Sequence, residues 1–143
     1  LAGSKRPGPP TAVLTTAAVV AAVVALAGCT SLGSREDAAA RAVEHFEAVL
    51  RAGDAEKACS ALAPGTLQEL EDSAEAPCPR ALTEAGLPDG GRAERVDVYG
   101  REARVVLVND TLFLSTFPGG WKITAAGCEP RAGKPYTCQV KGE

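Results

Sequence analysis

The sequence changes its period at Gly91, and that change restricts the fold more than any other feature. Before it, apolar residues recur at the spacing of helices. Ser34 suits a helix cap, with Glu36 and Asp37 in the first turn. Ala39, Val43, Phe46 and Leu50 then form an apolar stripe that Ala42 and Val49 widen, and Gly53 stands where a helix ends. Asp54 caps a second, short helix to residue 62, and Pro64-Gly65 breaks the chain. Thr66-Leu67-Gln68-Glu69 has the capping-box pattern, and Cys78-Pro79 opens a last helix that stops at Gly86. After Gly91 the pattern is that of strands: residues 96–98, 103–108, 111–117, 121–125 and 136–140. Asn109-Asp110 and Pro118-Gly119-Gly120 are turns between them. Helices first and strands second predict an α+β fold, with N-terminal helices packed on a C-terminal antiparallel β-sheet.

The first residues read as an address. Lys5 and Arg6 precede Pro7, Pro9 and Pro10, and residues 12–27 carry no charge. A bilayer span needs about 20 apolar residues, so this shorter, Ala-rich run reads as a signal-peptide helix. It ends in Leu26-Ala27-Gly28-Cys29, which resembles the lipobox of bacterial lipoproteins. The resemblance implies cleavage before Cys29, a diacylglycerol on its thiol, and an acylated (palmitate-type) amino terminus. It also implies a cell-membrane protein, lipid-anchored on the extracytoplasmic side. Two or more acyl chains give stable anchoring, at about 0.8 kcal/mol per buried CH₂. The expected organisation is a lipoprotein signal peptide over 1–28, a lipidated tether over 29–33 and a single α+β domain over 34–143.

Lipidation of Cys29 leaves Cys59, Cys78, Cys128 and Cys138. Outside the cytoplasm such thiols oxidise in pairs, and four allow three pairings. Cys59–Cys78 and Cys128–Cys138 are favoured because each closes a modest loop. A metal site is not expected, since no CxxC occurs and His45 is the sole histidine.

Val105-Val106-Leu107-Val108 and Leu112-Phe113-Leu114 are apolar on both faces of their strands. A sheet with one face in water alternates, so something covers the second face. The segment between Cys128 and Cys138 is one candidate, and a second copy forming a homodimer through the sheet is the other.

Helices followed by a curved antiparallel sheet resemble the NTF2-like, or cystatin-like, roll. The resemblance rests on Phe46, the Gly53-Asp54 corner, Ala58-Cys59-Ser60-Ala61-Leu62, and the Phe117-Pro118-Gly119-Gly120-Trp121-Lys122-Ile123 hairpin. The chain also resembles small actinobacterial lipoproteins that close on Gly-Cys…Tyr-x-Cys, here Gly127-Cys128 and Tyr136-Thr137-Cys138. Enzymes of the NTF2-like group use placed acid–base pairs, and no such pair is legible in this sequence.

Charge excludes several classes. The net charge is −3, with 23% charged and 45% hydrophobic residues, which fits neither a basic nucleic-acid binder, an acidic disordered tail nor a multi-span membrane protein. The acids crowd into residues 36–89, twelve against four bases, while Arg92, Arg95, Arg101 and Arg104 follow. That asymmetry predicts that anionic lipid repels the helical half and tolerates the sheet. No Walker A, GxGxxG, GxSxG or HExxH pattern is present. His45, Phe46 and Trp121 are the candidate pocket-lining residues. Asp54 and Glu56 read as helix-start charges and Asn109-Asp110-Thr111 as a turn. No catalytic residue, metal or cofactor is expected. The expected function is a non-enzymatic binding or interaction module at the cell envelope, for a small apolar ligand or an envelope protein. The alternatives are an NTF2-like isomerase or dehydratase with His45 as base, and an accessory subunit of an envelope complex.

Overall fold

The computed structural model describes residues 2–4, 6–8 and 17–142, and of residues 17–31 the backbone alone. The side chain of Cys29 and those of the rest of the lipobox lie outside the described residues. The chain divides into two compact units, Leu1–Leu32 and Gly33–Glu143, and the second contains the whole sheet. The described part is α+β: four helices, then five antiparallel strands in sequential order. Among the described residues no helix is long and apolar enough to cross a membrane.

Helix α1 is Ala17–Arg51. The sequence places a helix start at Ser34, but Ser34 lies inside α1, as do residues 30–33. The physical reason is the absence of a stop: no proline occurs between Pro10 and Pro64, and Ala and Leu are strong helix formers. The helix ends as expected. Gly53 takes φ +74°, its N–H bonds to Leu50 O at 3.0 Å, and Asp54 N–H bonds to Val49 O at 2.9 Å. This pair of bonds satisfies carbonyls that the helix end leaves free. Asp54 then caps α2 (Ala55–Ala61), accepting the Lys57 N–H.

Helix α3 is Pro64–Ala74, and it begins two residues before the capping-box reading placed it. Pro64 fits the first turn because a missing N–H costs nothing there. Thr66 is therefore inside the helix, almost fully buried, and donates its hydroxyl to Thr124 O at 3.1 Å instead of capping. Helix α4 is Cys78–Ala85, and Glu71 accepts its first N–H, from Cys78, at 2.8 Å.

The strands are β1 (Ala93–Tyr99), β2 (Glu102–Leu107), β3 (Thr111–Phe117), β4 (Gly120–Arg131) and β5 (Lys134–Lys141). The inner face presents Val105, Leu112, Leu114, Ile123, Ala126 and Val140 to Val43, Phe46 and Leu82 of the helices. Strand β4 runs well past residue 125, where the sequence reading ended it. An extra residue at Thr124 shifts its register against β3. The carbonyls of this stretch take donors from the start of α3 and from the chain after β5: Ile123 O accepts Ala63 N–H at 2.7 Å, and Thr124 O accepts the Thr66 hydroxyl and, at 3.0 Å, Gly142 N–H.

Both disulfides have the pairing favoured from the sequence: Cys59 is joined to Cys78 and Cys128 to Cys138. The first ties α2 to α4, and the second crosses the β4–β5 hairpin. On the outer face, Asp97, Arg104 and Phe113 stand in one cross-strand row. The ring of Tyr136 meets that of Phe113 edge to face, with centroids 5.1 Å apart. Of the segment between Cys128 and Cys138, the Tyr136 ring reaches the outer face, while most of the hairpin is exposed.

Gly127 takes φ +64°, and a Cβ there would lie 2.9 Å from Leu87 Cδ2 and 3.0 Å from Gln139 Cβ. Gly133 has a similar φ, +65°, with nothing near it. A left-handed non-glycine residue costs about 1–2 kcal/mol. Gly133→Ala is expected to cost about that, and Gly127→Ala about 1–3 kcal/mol more for the crowding. Urea denaturation followed by Trp121 fluorescence checks the difference.

Candidate functional site

The most enclosed chemistry lies where the end of α1 meets α4 and the loop at residues 86–91. Glu47 sits on the buried stripe of α1, one turn after Val43, beside Phe46, and is only 5% exposed. Its Oε2 accepts Gly90 N–H at 3.0 Å. It lines a cavity of about 330 Å³ with Leu50, Leu82, Leu87, Pro88 and Ala55, and Arg51 and Asp89 stand in the same wall. Arg51 Nε lies 3.6 Å from Asp89 Oδ2, and both side chains are more than half exposed. This cavity lies among the helices and the loop, not between α1 and the sheet.

A second carboxylate is buried nearby. Asp110 is 8% exposed, and its Oδ1 accepts the N–H of Thr111 at 2.6 Å and of Cys128 at 2.9 Å. Its Oδ2 accepts Gly127 N–H at 3.0 Å. The turn expected at Asn109-Asp110 therefore forms, but its acid points inward and replaces the backbone partners that β4 loses at Gly127.

Burial pushes both carboxyls above their ordinary range. For Glu47 the Gly90 N–H works against that, the charges of Asp110 and Asp89 add to it, and Arg51 again opposes it. For Asp110 the three amide donors offset part of the effect. The two acids differ in what remains free. Asp110 spends its oxygens on three backbone amides, whereas Glu47 has one hydrogen bond among the described residues and faces a cavity.

The residues singled out from the sequence fall elsewhere. His45 and Trp121 share a cleft of about 290 Å³ with Lys57, Ser60 and Lys122. His45 is exposed there and has no hydrogen-bond partner among the described residues. Phe46 lines neither cavity. It is fully buried, because one step around α1 turns it toward the sheet with Val43. Trp121 is half-buried against the core, and the Arg35 guanidinium stands 5.8 Å from its ring centroid. Among the described residues no group of His, Cys, Asp and Glu is placed to hold a metal ion. The arginines of the sheet are largely paired. Arg92 meets Glu94, and Arg95 and Arg104 both meet Asp97, whose carboxyl the Arg104 guanidinium holds below its ordinary range.

Glu47 was hidden in the sequence by its type, though its spacing marks it: it stands four residues after Val43 and three before Leu50. Asp110 had no such signal, since its donors come from residues 111, 127 and 128.

No family model matches the chain, and neither a curated protein nor a solved structure matches it.

The raised carboxyls set a direction for pH dependence. Above their unfolded values, 4.5 for Glu47 and 3.8 for Asp110, the folded chain holds more protons than the unfolded one. Stability therefore falls as pH climbs from about 4.5 through the raised values. Glu47→Gln, which keeps an acceptor for Gly90, is expected to flatten that decline in thermal melts taken between acid and neutral pH. Asp110→Asn is expected to cost about 1–3 kcal/mol at neutral pH, because its amide NH₂ turns a donor toward a buried N–H.

Proposed function

We propose that the chain is a small bacterial lipoprotein, fastened through Cys29 to the extracytoplasmic face of the cell membrane, whose domain is a non-enzymatic binding module. The address rests on the basic start, the uncharged run and Leu26-Ala27-Gly28-Cys29. Two disulfides in a domain of this size agree with an oxidising compartment. The observation that carries the binding role is the cavity of about 330 Å³, apolar along Leu50, Leu82, Leu87 and Pro88 and holding the buried carboxyl of Glu47. A largely apolar concave site with few convergent polar groups is the usual form of a small-ligand pocket. The helices followed by a five-stranded meander agree in outline with an NTF2-like or cystatin-like roll, which is the finer fold proposed for the domain.

The anchor is tested by expressing the chain in a bacterium with a lipoprotein-processing pathway and analysing the membrane fraction by mass spectrometry. The amino-terminal peptide is expected to begin at Cys29 and to carry a diacylglycerol. Cys29→Ser is expected to remove the lipid mass and leave the leader uncut. A bare Cys29 sulfur in the wild-type protein would overturn the reading.

A further inference from the structure

Glu47 and Asp110 are both more than nine-tenths buried and neither leaves a fully buried oxygen without a partner, but they differ in how many amides they receive. A carboxylate has about four acceptor sites, and an ionised one is costly to bury without partners. Asp110 receives three backbone amides. Glu47 receives one, from Gly90, although Arg51 stands four residues further along the same helix, where an ion pair would be favourable. Arg51 turns instead to Asp89. The rest of the Glu47 carboxyl belongs to the cavity wall.

The charge around it is predominantly negative. Asp110 and Asp89 both act on Glu47 electrostatically, against the single guanidinium of Arg51. A cation entering the cavity relieves repulsion among three carboxylates, whereas an anion adds to it. Of the remaining wall, Leu50, Leu82, Leu87 and Pro88 are apolar, the Thr83 hydroxyl is spent on Pro79 O, and Arg51 is paired with Asp89. Resting on the reading of the domain as a binding module, we propose that this cavity takes a ligand that joins a cationic amine to a compact apolar group, the ammonium donating to Glu47 and the apolar part lying on the leucines.

The probes are 2-phenylethylammonium, its neutral isostere 2-phenylethanol and the anion phenylacetate. Each is titrated into the full chain in neutral-detergent micelles while the backbone amides are followed by NMR. The ammonium is expected to shift Gly90 and Leu87 and to bind at least about fivefold tighter than the alcohol, a difference of about 1 kcal/mol. Phenylacetate is expected to leave those amides unmoved. Glu47→Gln is expected to bring the ammonium down to the affinity of the alcohol, with Trp121 fluorescence reporting that the fold is kept. Ala55→Leu, which puts a larger side chain on the cavity wall and keeps the Glu47 carboxyl, is expected to exclude both probes. Equal affinity for ammonium and alcohol would overturn the proposed ligand class and leave an apolar binding module standing. An absence of shifts at Gly90 and Leu87 with every probe would overturn the cavity as a site and the binding role with it. Neither result bears on the lipid at Cys29, which mass spectrometry reads separately.

Discussion

A single carboxylate holds the irregular part of this sheet together. Where β4 turns through Gly127, its amides lose the regular ladder, and Asp110 supplies oxygens to Gly127 and Cys128 while also binding Thr111. An unpaired buried amide costs about 1–3 kcal/mol, so the turn in β4 depends on this acid. On either side of Gly127 β4 keeps one register with β5, which sets Cys128 opposite Cys138, and Tyr136 of β5 meets Phe113. The short connection holding Asp110 also fixes the neighbouring loop, because Asn109 N–H bonds to Gly90 O at 2.9 Å and its side-chain amide to Asp89 O. Gly90 is the residue that donates to Glu47.

The elements of the fold were legible wherever local chemistry decides them. Gly53 and Gly86 mark helix ends because the left-handed conformation is theirs at little cost, and Asp54 marks a start because its carboxylate reaches a free amide. After Gly91 all five strands are legible, from the alternation at 96–98, the apolar β-rich runs that follow and the turns between them. The errors arose where distant partners decide. Thr66 looked like a cap until the carbonyl of Thr124 claimed its hydroxyl. Strand β4 looked short because Ala125-Ala126-Gly127 has little strand character of its own, and it is extended by pairing with β5.

The candidate site was harder to read for the same reason. His45 and Trp121 attract notice by rarity, and they do share a cleft, but that cleft is bordered by an exposed histidine without a partner. Glu47 is one of many glutamates. Its spacing within the stripe shared by Val43, Phe46 and Leu50 is a local signal, but the Gly90 amide comes from 43 residues further on and much of the cavity wall from α4 and the loop after it.

The Cys59–Cys78 bond joins two helices that both line the Glu47 cavity, α2 through Ala55 and α4 through Leu82 and Thr83. Its covalent hold keeps those walls from separating while the cavity is empty. The entropic cost of ordering these two helices is thus met when the two thiols oxidise, before anything occupies the cavity. Reduction of this one bond would therefore loosen the wall around Glu47 without altering any residue that lines it.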